Sequence, residues 1–88
     1  MAFTDKLGYK QVAAETEVIK ATPGGLFSVT CVVAGAVTVY DNATAGSGVV
    51  LYKKTMAEGE IAHWGSHGLA ANNGITVVAA GTVNIAYT

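Results

Sequence analysis

The chain has 88 residues, of which 51% are hydrophobic and only 12% are charged, and its net charge is −1. Soluble domains average about 25% charged residues, and a free-standing monomer usually carries far more surface charge than this chain, so the composition predicts a subunit partly covered by other protein chains. All five basic residues are lysines, which gives no basic footprint for nucleic acid. The single cysteine, Cys31, excludes an intrachain disulfide, and we expect it to be buried.

Residues 1–10 precede the first clear strand and are interpreted as an N-terminal arm. The arm contains three large apolar side chains, Phe3, Leu7 and Tyr9. It either packs on its own domain or reaches across to a neighbouring subunit, and the composition favours the second, so these three are predicted interface residues. No apolar stretch approaches the roughly 18 residues of a spanning helix, and no signal-peptide pattern is found, so we expect neither membrane partner nor secretory signal.

Residues 12–19 alternate with period two and predict a strand whose acidic side chains, Glu15 and Glu17, point outward. A helix over residues 10–20 is the alternative, but β-branched residues make it less favourable. After a turn at residues 21–25, residues 26–34 form the strongest predicted strand, with four side chains on one face: Phe27, Val29, Cys31 and Val33.

Gly35 separates that strand from the next, at residues 36–40, so the two predict either a hairpin or one strand with a bulge. Residues 41–48 have loop composition, and residues 49–55 form another strand. Residues 61–68 are ambiguous because glycines interrupt them. Residues 72–74 are a strong turn signal, and two final strands, residues 75–80 and 82–88, lie on either side of Gly81.

Short strands with Gly- and Asn-rich turns predict an all-β fold. The expected architecture is a small antiparallel β-sandwich or jelly-roll-like barrel of about 6–8 short strands. Residues 11–88 are expected to form this single domain behind the arm.

His63 and His67 flank Trp64 and are the only two histidines. In a strand their side chains would lie about 13 Å apart, too far to share one ion, so we expect no metal. Interface polarity is the favoured interpretation of the histidines. Trp64 is consistent with a core or edge position, with an interface anchor or with a platform for a sugar. All three are retained as predicted interface residues.

Catalytic patterns are absent from the sequence. None of the serines lies in a Gly-x-Ser-x-Gly turn, and the pair Glu58 and Glu60 falls in a polar turn where solvation is the default. The glycine pairs fit no phosphate-binding loop. We therefore expect no catalytic residues, no cofactor and no enzymatic activity.

Four stretches of the chain look familiar together: residues 19–26 (IKATPGGL), 37–51 (VTVYDNATAGSGVVL), 71–77 (ANNGITV) and 81–87 (GTVNIAY). In this combination the chain, from about residue 18 to its end, resembles the small β-sandwich structural proteins of tailed bacteriophage virions. The stretch at 37–51 is the most specific of the four. The resemblance brings no catalytic motif with it.

The resemblance implies a virion component that is assembled in the host cytoplasm. It would be a head decoration (cement) or minor capsid subunit, or else a small tail or fibre-base subunit. Its expected partners are further copies of itself, in a homo-oligomer, and other virion proteins such as the major capsid protein. No direct contact with nucleic acid is expected. A carbohydrate-binding or adhesin module, for which Trp64, Tyr40, Tyr52 and Tyr87 could supply the aromatic side chains, is the alternative from another functional class.

Overall fold

The computed structural model describes residues 8–65 and 68–88, and this part of the chain folds into strands joined by short turns. The described strands are β1 (Gly8–Ala13), β2 (Thr16–Lys20), β3 (Gly24–Val33), β4 (Gly35–Asp41), β5 (Val49–Met56), β6 (Ile61–His63), β7 (Leu69–Ala71), β8 (Ile75–Ala79) and β9 (Thr82–Tyr87). Every pairing is antiparallel. The prediction of an all-β antiparallel sandwich is confirmed.

The strands form two sheets that pack on each other. Sheet I has the order β1-β9-β3-β6, with β7 pairing to β3 beyond the end of β6. Sheet II has the order β2-β8-β4-β5. The edge strands β1 and β2 lie on one side of the sandwich, where Lys10 contacts Glu17, and β6 and β5 lie on the other, where Trp64 contacts Tyr52.

The core lies between the inner faces of the two sheets and is built almost wholly from aliphatic side chains. Cys31 is part of it with 2% of its surface exposed, as predicted. Its thiol points toward the carbonyl oxygen of Val33, at 3.2 Å. The buried hydrophobic cluster consists of Val12, Leu26, Val29, Cys31, Val37, Val39, Met56, Ala71, Ile75, Val77, Ala79, Val83 and Ile85.

Both predictions for Gly35, a hairpin and a single strand with a bulge, are wrong, because β3 belongs to sheet I and β4 to sheet II. The chain crosses between sheets there, and it crosses again between β8 and β9 at Gly81. The two crossings pack on each other so closely that a Cβ on Gly35 would lie 2.5 Å from the backbone nitrogen of Gly81. Alternation of period two shows that residues are in strands, but it does not say which sheet each strand joins.

The strand predicted at residues 12–19 is divided in the same way. Ala14 has a φ of +50° and separates β1, in sheet I, from β2, in sheet II. Strand β1 begins at Gly8, so residues 8–10, which the sequence assigned to the arm, pair with β9. Phe3 and Leu7 lie outside the described residues.

Two bulges in β3 change which of its side chains are buried. Between Leu26 and Ser28, and again between Cys31 and Val33, β3 has one residue more than its partner β9. Leu26 is consequently in the core, Phe27 is half-buried, and Val33 is 53% exposed. The prediction that Phe27 and Val33 face inward with Val29 and Cys31 is wrong, because a bulge shifts the alternation by one residue.

Candidate assembly surface

The register of sheet I places two predicted interface residues on one face. Adjacent strands bring together a row that runs across the sheet through Tyr9, Ala86, Ser28 and His63. Successive side chains of a strand point to opposite faces, and the neighbours of this row, such as Ile85 and Val29, are in the core. Tyr9 and His63 therefore lie on the outer face, about 14 Å apart at a spacing of roughly 4.8 Å per strand.

The same face continues in two further rows. Its members, called here the sheet I face, are Tyr9, Gln11, Ala13, Ser28, Thr30, Val33, Ile61, His63, Ala70, Thr82, Asn84 and Ala86. None of these is Asp, Glu, Lys or Arg. Three large side chains are strongly exposed on it: Tyr9 at 73%, Ile61 at 58% and Val33 at 53%.

The outer face of sheet II is different, because the chain itself covers part of it. The side chain of Asn42 organises the 42–48 loop: its Oδ1 accepts the N–H groups of Thr44 (2.8 Å) and Ala45 (3.0 Å), and its Nδ2 donates to the carbonyl of Ser47 (2.9 Å). Gly46 then lies against the sheet, where a Cβ would be 2.7 Å from a methyl group of Val78. Beyond the loop, the outer face of sheet II carries a charged residue, the exposed Lys53.

An ion pair joins the two sheets at the edge formed by β1 and β2. Lys10 pairs in register with the core residue Ile85, so its stem points inward, and its Nζ lies 2.8 Å from Glu17 Oε2. The hydrogen bond and charge of Glu17 raise the pKa of Lys10. The hydrogen bond from Lys10 lowers the pKa of Glu17.

The opposite edge repeats this arrangement with different residues. Lys54, on β5, pairs in register with the core residue Val37 and contacts Glu60, which directly precedes β6. The hydrogen bond with Lys54 lowers the pKa of Glu60, and Glu60 in turn raises the pKa of Lys54. Inward-pointing charges on edge strands disfavour the addition of another strand, which would remove the ammonium group from water.

Trp64 closes the sandwich at this second edge. Its backbone N–H donates to the carbonyl of Phe27 (3.2 Å), and its half-buried ring packs against the core. The ring also meets Tyr52 of β5 edge-to-face, with centroids 5.3 Å apart and planes at 81°. Trp64 thus lies between the two sheets and not on the sheet I face with Tyr9 and His63. The third residue of the motif, His67, lies outside the described residues.

Asp41, predicted from its neighbours to begin a loop, is a structural residue at the end of a strand. It is the last residue of β4, is 8% exposed, and accepts the backbone N–H groups of Asn72 (3.1 Å) and Asn73 (2.7 Å). These bonds, that from Asn73 foremost, hold the pKa of Asp41 below its ordinary value against the opposing effect of burial. The alternation Val37, Val39, Asp41 was the available signal, because it continues the buried face by one more position.

Residues 8–65 and 68–88 contain no group of three or more His, Cys, Asp or Glu that could hold a metal ion. Nor do they include a helix of the length and apolarity that crossing a membrane requires. No protein family, no curated protein and no solved structure matches the chain.

Proposed function

We propose that this chain is a non-enzymatic structural subunit of a virion, which stabilises the particle by burying surface between subunits. The observation that supports it best is the sheet I face, a broad and uncharged surface with exposed Tyr9, Val33 and Ile61. Burying such a face gains roughly 25 cal/mol per Å² of apolar area. It also avoids the cost of removing unpaired charges from water.

The virion context rests on the resemblance of residues 18–88 to tailed-phage structural proteins. Within it, a head decoration or minor capsid subunit is the favoured role, and a tail or fibre-base subunit is the alternative. Both roles use the same physical property, a small domain that contributes one broad face without Asp, Glu, Lys or Arg. We propose no sugar-binding role, since Trp64 and Tyr52, two of the aromatic residues that could form a platform, pack on each other and on the core.

The test is the protein content of intact particles. Particles are purified on a density gradient from a lysate of the cells in which this chain is naturally expressed, and they are digested for quantitative mass spectrometry. We expect the chain to be present in a fixed ratio to the major capsid protein in every gradient fraction that contains particles. Immunogold labelling with an antibody against the purified chain then distinguishes head from tail.

An abundant host cytosolic protein serves as the control, because it is lost during banding if the purification is adequate. A chain that is plentiful in the lysate but lost with the cytosolic control would contradict the proposal. A glycan array is a second experiment. Saturable sugar binding that is lost in Trp64→Ala would favour the adhesin alternative.

A further inference from the structure

We infer that the sheet I face binds a second copy of this chain, so that two sandwiches pack face to face about a two-fold axis. This inference rests on the proposed function and names the first partner of the subunit. It follows from comparing the surfaces that the fold offers: two edges, the outer face of sheet II, and the sheet I face.

The edges are unsuited to pairing with another strand. Lys10 on β1 and Lys54 on β5 point inward and are held there by Glu17 and Glu60. A strand added beside β1 or β5 would bury one of these ion pairs more deeply, and the cost of desolvating a pair often exceeds what its attraction returns. Assembly through continuous sheets is therefore disfavoured at both of these edges.

The outer face of sheet II is unsuited to binding a second copy for a different reason. The 42–48 loop lies across it, with Gly46 against Val78, so the surface is not flat. Lys53 on β5 places a charge beside the loop. In a two-fold contact through this face, each Lys53 would approach a second positive charge or lose water without gaining a partner.

The sheet I face complements itself. An interface about a two-fold axis brings the same patch of both copies together, so any charge on the patch tends to meet its own kind. The residues that define this face include no Asp, Glu, Lys or Arg. Its middle carries small polar side chains, Thr30 on β3 and Asn84 on β9, that can donate and accept hydrogen bonds across the contact.

The size of the face is adequate for a stable contact. The described domain measures 33 × 27 × 16 Å, so it is a flat sandwich with two broad faces. Covering one broad face buries on the order of 700 Å² per copy, close to the roughly 800 Å² per partner of a standard interface. The narrow edges, 16 Å deep, offer much less.

Sedimentation velocity of the full chain over a wide concentration range tests the inference. Asn84→Asp changes no volume and places a carboxylate at the middle of the sheet I face. Thr55→Asp is the matched control, because Thr55 is exposed on the outer face of sheet II and gains the same charge. We expect a dimer whose dissociation constant rises at least about tenfold in Asn84→Asp and stays unchanged in Thr55→Asp.

A second variant guards against misfolding of the first. Ile61→Thr keeps the β-branched shape of an exposed side chain and removes apolar area from the rim of the face, so it should weaken the dimer while leaving the melting temperature of the diluted chain unchanged. Dimers that respond equally to Asn84→Asp and Thr55→Asp would overturn the assignment of the face. A chain that stays monomeric at all concentrations would overturn the second copy as the partner.

The sedimentation result and the particle experiment can fail separately, so failure of this inference is distinguishable from failure of the proposed function. A monomer that is nevertheless present in purified particles, and is lost from them in Asn84→Asp, would make another virion protein the occupant of the face. That result overturns this inference and leaves the proposed function intact. A chain that forms the dimer but is missing from purified particles would leave this inference intact and overturn the proposed function.

Discussion

Asp41 accepts the backbone N–H of Asn73 at 2.7 Å, and these two residues are 32 positions apart in the chain. Asp41 ends β4, while Asn73 belongs to the turn between β7 in sheet I and β8 in sheet II. The same carboxylate also accepts the N–H of Asn72. One buried side chain thus holds the turn by which the chain passes from one sheet to the other.

Replacing Asp41 by Asn is expected to destabilise the fold. The amide keeps the size of the carboxylate but loses its charge, and one of its two acceptor positions becomes a donor that faces backbone N–H groups. The melting temperature should fall by on the order of 5–10 °C. Glu58→Gln, at an exposed position, is the control and should change it little. Equal melting temperatures for the two variants would show that the charge and the second acceptor oxygen of Asp41 contribute nothing to stability.

The lowered pKa of Asp41 also predicts an acid dependence of stability. Its ordinary pKa is 3.8 and the folded state holds it below that value, so the unfolded chain takes up the proton first. The contribution is complete at neutral pH and is lost as the pH falls below about 4 and through the folded-state pKa. Melting curves of the wild type from neutral pH to about pH 2 should decline in this range, and Asp41→Asn should decline less.

Glu17 and Glu60 act in the same direction, since the pKa of each is also lowered. Both belong to exposed ion pairs, which added salt screens. Repeating the titration at high salt therefore isolates the part due to Asp41. If high salt abolished the whole decline in melting temperature at low pH, the exposed ion pairs of Glu17 and Glu60, and not Asp41, would be its cause.

The fold class was predictable because period-two alternation and the turn residues agree along this chain. The assignment of strands to sheets was not. The segments on either side of Gly35 look like a hairpin, and those on either side of Ala14 look like one strand, yet each pair is divided between the two sheets. What divides the strands between the two sheets is contact between residues distant in sequence, such as Gly35 and Gly81.

This contact gives a prediction for Gly81→Ala. A Cβ on Gly81 would lie 2.1 Å from the carbonyl oxygen of Val33 and 2.6 Å from that of Ala34, so the backbone itself would have to move. We expect a loss of at least about 3 kcal/mol in the free energy of unfolding. Urea unfolding measures it.

Gly59→Ala is the matched control for this prediction. Gly59 has a φ of +84° and nothing within 4 Å of the added Cβ, so only backbone strain of about 1–2 kcal/mol is expected. The two substitutions add the same methyl group, and they differ in whether space is available for it. A cost for Gly81→Ala no larger than that for Gly59→Ala would mean that the two crossings can separate easily.

The contact between Trp64 and Tyr52 predicts that Trp64→Ala destabilises the isolated chain by about 2–4 kcal/mol, since a half-buried ring that closes the sandwich is removed. A double-mutant cycle with Tyr52→Ala should return a coupling of about 0.5–1.5 kcal/mol. Val49→Ala, at a side chain that is 65% exposed, should stay within about 0.5 kcal/mol of the wild type. Strictly additive effects of the Trp64 and Tyr52 substitutions would argue against an energetic contribution from the ring pair.

The candidate surface was predictable only in part. Tyr9 and His63 were singled out from the sequence for separate reasons, and the register brings them to one row of one face. Trp64, next to His63, points between the sheets, because adjacent residues of an extended chain face opposite ways. The absence of charge from the sheet I face depends on which strands are neighbours, and single-strand patterns do not contain that information.

Adjacent lysines on β5 allow the protection of the edge to be tested directly. Lys54 points inward at the open edge, whereas Lys53 points outward, and the two share the same strand and charge. Lys54→Val should remove the barrier to strand addition beside the exposed Val49 and Val50 and promote concentration-dependent aggregation. Lys53→Val makes the same change in net charge but leaves the inward lysine in place.

Light scattering during a concentration series should therefore detect aggregation of Lys54→Val at a concentration about tenfold lower than for Lys53→Val. Aggregates of Lys54→Val should also bind a dye specific for cross-β structure, because the new contact is strand to strand. Equal aggregation of the two variants would mean that lost charge alone is responsible. In that case the inward lysine would not protect the edge, and strand addition at the edges would compete with assembly through the sheet I face.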